Sequence, residues 1–291
     1  MRILLTGADG QVGFELRRTL APLGEVHAYG RADLDLADRD ALISACRSLA
    51  PGLIVNAAAY TAVDKAEAET ALAEAVNGRA PGILAGEARR LDALLVHYST
   101  DYVFDGKSRR PYREEDATGP LNAYGRSKLS GERAILESGC KHLVLRTSWV
   151  YGPRGRNFLV TMLALAAARE ELRVVDDQRG APTSSIFLAE ATVRALRAIP
   201  SAGVASGIYH LSAAGATTWA GFARAIFARA AARPGFRAPR VVPIATSEYP
   251  TPARRPRYSV LSHGKFAAAF GFEPEPWEDQ LDACFARMGP R

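Results

Sequence analysis

The sequence is poor in cysteine, with three in 291 residues, at positions 46, 140 and 284. They are odd in number and lie outside the Cys-x-x-Cys spacings of zinc and redox sites. This pattern excludes a disulfide-rich secreted scaffold and favours a reducing compartment. We therefore expect a cytoplasmic protein and assign no metal ligands.

Long apolar runs are also missing. The longest candidate, 159–168, is interrupted by Thr161, whereas a membrane span needs about 20 predominantly apolar residues. Only residues 3–5 form an apolar run after Met1 and Arg2, which is too short for a secretory signal. The sequence predicts no membrane partner.

A strong excess of one charge is absent as well. Lys and Arg outnumber Asp and Glu by 37 to 31, a formal net charge of +6. The densest basic group, Arg-Arg-Pro-Arg at 254–257, has no interleaved aromatic residues. Because a nucleic-acid surface needs clustered cations, we expect these arginines to be solvated or to hold a small anion, with no nucleic-acid partner.

The first half of the chain alternates short apolar runs with helical patterns. Strand and helix repeated at this spacing predict a parallel sheet with helices on both faces, the Rossmann-type doubly wound α/β class. The expected strands are 2–6, 25–29, 53–58, 94–100 and 142–148, and the expected helices are 11–21, 38–49, 64–75, 79–91 and 123–138.

The rhythm changes after Trp149, where a Gly/Pro loop begins a region of fewer strands. We expect a first domain at 1–151, which also uses part of 177–200, and a smaller α/β lobe at 152–291. The expected elements of this second half are helices at 158–169, 184–198, 217–232 and 276–287 and strands at 172–176 and 207–212, with a Pro- and Arg-rich stretch at 234–257.

Three glycines, Gly7, Gly10 and Gly13, lie between the first strand and the first helix. A pyrophosphate binds the backbone N–H groups of a helix N-terminus, and it comes close only where side chains are absent. Glycines also make tight turns, so the spacing alone is weak evidence. Their place at the start of an alternating α/β pattern favours a dinucleotide site.

The end of the second strand bears on the choice of dinucleotide. An acidic residue there favours NAD, and a nearby arginine accommodates the 2′-phosphate of NADP. The sequence has Gly30 and Arg31, with Asp33 as the first acid and Asp35-Leu36 beyond it. Arg31 therefore favours NADPH, while NADH or dual use stays open if Asp33 turns back to the ribose.

Tyr124 and Lys128 lie four residues apart in a predicted helix and so share one face. An ammonium group beside a phenol favours the phenolate, so Lys128 would tune Tyr124 for acid–base chemistry. Thr100 ends the fourth strand, where its hydroxyl would meet a substrate carbonyl. The alternative is that Ser99 and Thr100 only cap the turn.

The glycine loop, the hydroxyl after the fourth strand and the Tyr/Lys pair, in this order, resemble the extended short-chain dehydrogenase/reductase family. Asn157-Phe158 adds to the resemblance. The other segments that carry it cover nearly the whole chain: GADGQVGFEL, VNAAAYTAVDKAE, HYSTDYVFDG, PLNAYGRSKLSGE, RTSWVYG, DQRGAPT and RPRYSVL.

The resemblance and the motifs together define a candidate site. The catalytic set would be Thr100, Tyr124 and Lys128. The substrate contacts would be Thr100, Asp101, Trp149, Asn157 and Arg255. The cofactor contacts would be Gly7, Gly10, Gln11, Val12, Gly13, Arg31, Asp35, Leu36, Ala58, Ala59, Tyr60, Thr61, Tyr124 and Lys128.

Two departures from the family pattern matter. Some relatives have an acid where this sequence has Gly30, which supports NADPH, and some have His in place of Tyr60. Some members also use Mg²⁺ at a contact between subunits, so the resemblance leaves Mg²⁺ and a homodimer open.

The resemblance implies an NADPH-dependent reduction of the C4 ketone of dTDP-4-dehydro-β-L-rhamnose, the last step towards an activated sugar for cell-surface polysaccharide such as O-antigen. Two alternatives stay open. One is another nucleotide-sugar reductase or epimerase of the family. The other is a non-catalytic NADP-binding regulatory subunit on the same scaffold, because fold does not fix function.

Overall fold

The computed structural model describes residues 1–199 and 206–289. Its strands are β1 Arg2–Thr6, β2 Glu25–Tyr29, β3 Leu53–Asn56, β4 Leu94–Thr100, β5 Lys141–Thr147, β6 Val150–Tyr151, β7 Glu171–Val175, β8 Arg179–Gly180, β9 Thr183–Ser184, β10 Gly207–His210, β11 Thr217–Thr218 and β12 Arg240–Ile244. Its α-helices are α1 Gln11–Thr19, α2 Arg39–Leu49, α3 Val63–Ala66, α4 Thr70–Glu74, α5 Ala80–Arg90, α6 Ala123–Ser138, α7 Phe158–Ala166, α8 Ser185–Ala198, α9 Trp219–Ala230, α10 Gly264–Phe270 and α11 Trp277–Met288.

A six-stranded sheet, in the order β2-β1-β3-β4-β5-β10, organises the fold. Every neighbouring pair in it is parallel. The chain leaves β1 to β2 on one side and returns to β3 on the other, so the direction of winding reverses beside β1. Open sheets of this kind bind ligands outside the carboxyl ends of their strands at such a point. The predicted Rossmann-type doubly wound class is confirmed.

Alternate residues of the sheet face two separate apolar layers. Ile3 belongs to the cluster that includes residues of α1, α8 and α10, whereas its neighbour Leu4 belongs to the one that includes residues of α2, α5 and α6. Both are fully buried, which stabilises the fold by roughly 1.5–3 kcal/mol for each such side chain. Burial on both faces explains why these strands read as continuous apolar runs.

A third apolar cluster lies in the second half of the chain. It joins α7, α9 and α11 around Phe222, and it includes Leu172 and Val174 of β7. By contrast, α8 and β10 contribute to the cluster of the main sheet. The second half therefore supplies one strand and one helix to the sheet as well as a core of its own. The domain boundary at residue 151 stays a prediction.

The predicted continuous helix 64–75 is wrong, since the chain forms α3 and α4 with a turn between them. A π-helical turn, Ala75–Arg79, then leads into α5. Pro81 has no N–H to donate to the carbonyl of Asn77, four residues earlier. Gly131 of α6 packs against that carbonyl so closely that a Cβ would lie 2.1 Å from its oxygen.

Two elements, β12 and α10, lie in a part of the chain for which the sequence predicted no strand or helix. Strand β12 lies within the Pro- and Arg-rich stretch and pairs in parallel with β7. It contains Pro243, which a two-stranded sheet tolerates because one edge of the strand needs no partner. Helix α10 follows that stretch and ends at Gly271 in the left-handed conformation.

A buried ion pair fixes α6 against the sheet. The guanidinium of Arg146 on β5 donates through Nε to Glu132 Oε1 at 2.9 Å and through Nη2 to Oε2 at 2.7 Å. The hydroxyl of Ser99 on β4 donates to the same carboxylate at 2.5 Å. Both charged side chains are almost fully buried, so each neutralises a charge that would be costly alone.

We expect Glu132→Gln to destabilise the protein by about 3–5 kcal/mol, because it leaves the Arg146 charge buried without its partner. Urea unfolding, followed by circular dichroism, measures this loss. Glu190→Gln is the matched control, because the pair of Glu190 with Arg18 is more than half exposed and is worth about 1 kcal/mol or less. Equal losses in the two variants would contradict the assignment.

Candidate active site

A cavity of about 450 Å³ opens at the carboxyl ends of the central strands, where the winding of the sheet reverses. Its size is that of a small-molecule or cofactor site. We refer to it as the central cavity. It is lined by residues 7, 9–12, 30–31, 34–36, 57–61, 98–99, 124 and 128, among others.

The glycine loop brings bare backbone to the floor of the central cavity. Gly7 has a φ of +71°, a left-handed conformation that favours glycine. A Cβ on Gly7 would lie 2.5 Å from the nitrogen of Ala58, and one on Gly13 would lie 1.9 Å from the carbonyl oxygen of Gly7. Gly10 precedes α1 without a side-chain cap, so the first N–H groups of this helix are available to an anion.

The central cavity gathers nearly all the predicted cofactor contacts. Of the fourteen residues named above, thirteen line it. The exception is Gly13, whose place beneath Gly7 gives it a packing role between loop and helix. The residues present therefore fit an extended dinucleotide.

The carboxylates of Asp33 and Asp9 lie beside Gly30 at the end of β2. Asp33 accepts a hydrogen bond from the backbone N–H of Gly30 at 2.9 Å, so it turns back onto the chain. A Cβ on Gly30 would lie only 1.9 Å from Asp9 Oδ2, which shows that Asp9 fills the space beside this glycine. Arg31 lines the cavity next to them.

Tyr60 is held at the cavity wall from two sides. Its backbone exchanges hydrogen bonds with the side-chain amide of Asn77, at 2.8 and 3.0 Å. Its hydroxyl donates to Glu69 at 2.6 Å, and this bond raises the pKa of the tyrosine. Sequence reasoning missed Asn77, because only the fold brings the π-helical turn beside residue 60.

Tyr124 enters the site from the first turn of α6. The side chain of Asn122 caps this helix by accepting from the N–H of Gly125 at 2.8 Å. Burial raises the pKa of Tyr124 to about 12, an effect that a hydrogen bond with Thr100 opposes. The ring meets Tyr102 edge-on at 5.8 Å. The phenol is therefore a neutral proton donor in this structure.

The two hydroxyls at the end of β4 differ in their contacts. Ser99 is committed to Glu132, as described above. Thr100 donates to Asp101 Oδ1 and accepts from the N–H of Tyr102, both at 3.1 Å. Thr100 thus caps the following turn and also lies beside Tyr124. Ser99 lines the central cavity and Thr100 does not, so the choice of Thr100 for carbonyl contact stays a prediction.

Lys128 is almost completely buried although it lines the cavity. Its described contacts are to β4: Nζ lies 3.0 Å from His97 Nε2 and donates to the carbonyl oxygen of Tyr98 at 2.6 Å. Burial lowers its pKa to about 7, against the charge of Glu132. The tuning of Tyr124 by Lys128 stays a prediction.

The predicted sugar contacts Trp149, Asn157 and Arg255 lie in three different settings. Trp149 has a φ of +46° and stacks on Trp219 with ring centroids 3.6 Å apart. Asn157 caps α7 and donates to Gln11 Oε1 at 2.9 Å, which ties that loop to the glycine loop. The Arg255 guanidinium donates twice to Asp64, at 3.0 and 2.8 Å.

Within 1–199 and 206–289, His, Cys, Asp and Glu form no group of three or more that would hold a metal ion. Among the helices of these residues, none combines the length and the apolar character needed to cross a membrane.

Comparison with known proteins gives a consistent result. Residues 1–289 match the family model described as the RmlD substrate binding domain. The chain is 50% identical to the dTDP-4-dehydrorhamnose reductase of Burkholderia thailandensis, with 98% of each chain covered. It is 45% identical to that of Escherichia coli K12, with 96% of this chain and 95% of the relative covered.

Solved structures agree with these matches. A dTDP-4-dehydrorhamnose reductase from Clostridium acetobutylicum superposes with a TM-score of 0.92 at 36% identity over 99% of both chains. One from Bacillus anthracis, in complex with NADP, gives a TM-score of 0.91 at 35% identity over 98% of this chain and 99% of that one.

A glycine loop at the reversal of a parallel sheet, with a Tyr/Lys pair at the same cavity, defines an NAD(P)-dependent oxidoreductase of the Rossmann type. The chain belongs to the RmlD family, and the relatives compared above are named dTDP-4-dehydrorhamnose reductase.

We expect Arg31→Ala to weaken NADPH binding about tenfold or more, since a hydrogen bond to a charged group is worth about 1.5–3 kcal/mol. NADH has no 2′-phosphate and should lose less. Fluorescence titration of both nucleotides measures the ratio of dissociation constants. Arg39→Ala is the control, because this exposed arginine does not line the cavity. Equal weakening of both nucleotides would contradict the assignment.

Asp101 predicts a pH dependence of stability. Burial raises its pKa to about 7, above the ordinary value of about 3.9. Between these values the folded protein holds a proton that the unfolded chain has released, so stability falls as the pH rises through this window.

Asp101→Asn resembles the protonated acid and should remove this fall. Urea unfolding at pH 5 and pH 8 measures it: relative to wild type, the variant should gain stability at pH 8, by a few kcal/mol at most, because one pKa unit is worth about 1.4 kcal/mol. Asp40→Asn, at an exposed carboxylate, is the control. The same difference from wild type at both pH values would count against the buried acid.

Proposed function

We propose that this protein reduces the C4 ketone of dTDP-4-dehydro-β-L-rhamnose with NADPH. The observation that carries the proposal is the single cavity that holds the glycine loop, Tyr124 and Lys128. The names of relatives at 45–50% identity over nearly the full chain support the substrate. The NADP complex of a structural neighbour supports the cofactor.

The cofactor would be held at both ends of the central cavity. The open N-terminus of α1 and the glycine backbone suit its pyrophosphate, and Arg31 suits a 2′-phosphate. Lys128, at the other end, would donate to the nicotinamide ribose. When bound, NADPH supplies the hydride.

Tyr124 would act as the general acid. Its phenol keeps its proton in the free protein because burial disfavours the phenolate. As hydride reaches the carbonyl carbon, negative charge grows on the carbonyl oxygen, and Tyr124 would donate its proton there. Thr100, whose hydroxyl lies beside the phenol, would donate a hydrogen bond to the same oxygen and orient it.

The sugar and its diphosphate would lie beyond the cofactor. The stacked indoles of Trp149 and Trp219 are half-buried, and the exposed part of this pair would offer the deoxy sugar an apolar contact. Arg255 is preorganised by Asp64 and Thr251, and its guanidinium geometry suits a phosphate. The third apolar cluster would then form the core of the substrate lobe.

We expect Tyr124→Phe to lower kcat/KM for the dTDP-sugar by about 10²–10⁴, the scale of a lost general acid. NADPH absorbance, with the keto sugar generated in situ, measures the rate. NADPH binding should change little, because the ring remains. Near-normal turnover would show that another group supplies the proton.

The same assay separates the alternatives. An epimerase would retain its nicotinamide on purification and consume no NADPH. A regulatory subunit would bind the cofactor in a titration and turn over no nucleotide sugar.

Thr100→Ser, which keeps the hydroxyl, is the matched control for Thr100→Val, and only the valine variant should lose activity.

A further inference from the structure

A chain of buried hydrogen bonds runs beneath Lys128. The hydroxyl of Thr6 on β1 donates to Asn56 Oδ1 at 2.7 Å. Asn56 Nδ2, on β3, lies 3.0 Å from His97 Nδ1 on β4. His97 Nε2 lies 3.0 Å from Lys128 Nζ. None of these four residues is more than 1% exposed.

The orientation of the Asn56 side-chain amide sets the direction of the hydrogen bonds along this chain. Asn56 points its oxygen towards Thr6, which leaves its NH₂ group towards His97. An amide nitrogen only donates, so His97 Nδ1 must accept. A neutral imidazole then carries its proton on Nε2, which donates to Lys128. Burial lowers the pKa of His97 well below its ordinary value, so the neutral ring is the relevant form.

An ammonium group cannot accept a hydrogen bond. We propose that His97 is a positioning residue for Lys128: with Thr6 and Asn56, it sets a hydrogen-bond direction that favours the neutral amine of Lys128 over the ammonium in the cofactor-free protein. This inference rests on the proposed function for its catalytic meaning, but not for its test.

The neutral amine of Lys128 has one lone pair and two N–H groups, and each of them can be assigned a role. Its lone pair accepts from His97 Nε2, and one N–H donates to the carbonyl oxygen of Tyr98 at 2.6 Å. The second N–H is left for the central cavity, which Lys128 lines. The amine thus keeps one donor for a ribose hydroxyl.

A charged Lys128 requires the whole chain to reverse. The proton of His97 would move to Nδ1, the amide of Asn56 would turn over to accept it, and Thr6 would become the acceptor. Because Thr6 is completely buried, the chain ends in the core and passes no proton to water. The chain therefore holds one direction of hydrogen bonding and does not conduct protons.

The other groups around Lys128 do not impose a charge on it. Glu132, one turn further along α6, favours the ammonium, but its carboxylate is already paired with Arg146 and bonded by Ser99. Tyr124, one turn earlier, is a neutral phenol. Two further polar groups come from the elements packed outside α6. Asn77 donates a hydrogen bond to Ser127, and Glu74 accepts one from Ser130.

A neutral Lys128 also affects Tyr124. A cation beside the phenol would favour the phenolate, and a neutral Lys128 does not supply one. The pKa of Tyr124 lies above its ordinary value in this structure, in line with that absence. The tuning expected from the sequence would then begin only when Lys128 gains a proton.

The sequence makes a direct test practical, because it contains five lysines and five histidines. We expect NMR of ¹³C-lysine-labelled, cofactor-free protein to show Lys128 titrating near pH 7, with its resonance assigned by Lys128→Met. Long-range ¹H–¹⁵N spectra should show His97 protonated on Nε2 alone. A Lys128 still charged at pH 9, or a His97 protonated on Nδ1, would overturn the proposal.

Asn56→Asp tests the direction of the chain. A carboxylate only accepts, so His97 would carry its proton on Nδ1 and accept from Lys128 through Nε2. The Lys128 midpoint should rise by about one pH unit or more. Thr192→Val is the matched control, because it removes a buried hydrogen bond to the Tyr98 hydroxyl without touching His97.

An unchanged Lys128 midpoint in folded Asn56→Asp protein would sink the proposal. If that variant does not fold, the wild-type tautomer of His97 decides alone. Neither measurement uses sugar or nucleotide, so failure here is distinct from failure of the proposed reaction.

Discussion

The site depends on how α6 is held against the sheet. This helix carries Tyr124, Lys128 and Glu132 along one face, at successive turns, and two of these side chains bring a potential charge into the core. Glu132 is neutralised by Arg146, and Lys128 is bonded to β4. Because an unpaired buried charge is so costly, these contacts leave little freedom for the helix to slide or rotate. The position of the phenol over the cavity follows from that constraint.

Much of this arrangement follows from local sequence rules. Alternating apolar runs predicted the parallel sheet, and the glycine spacing predicted which loop lines the cavity. The Tyr124 and Lys128 spacing predicted that both side chains reach it. These signals are readable because each depends on residues that are close together in the chain.

The features that the sequence did not predict depend on distant partners. Asn56 and His97 look like ordinary strand residues until β3 and β4 are paired, and Asn77 gains its role only when its turn lies beside Tyr60. The break between α3 and α4 likewise contains a contact to a distant element, since Glu67 accepts from the N–H of Ala123 on α6. Strand β12 was missed because Pro243 argues against a strand, and only its one-sided pairing with β7 permits it.

The close approach of Asp9 to Gly30 links two stretches of sequence that are usually considered separately. A side chain at position 30 would occupy the space that Asp9 fills. A large residue at position 30 therefore requires a small or displaced side chain at position 9. An acid at the end of β2 would therefore be accommodated only if Asp9 turns away or is replaced by a shorter residue. A residue of the glycine loop thus limits which side chains the end of β2 can present to a cofactor.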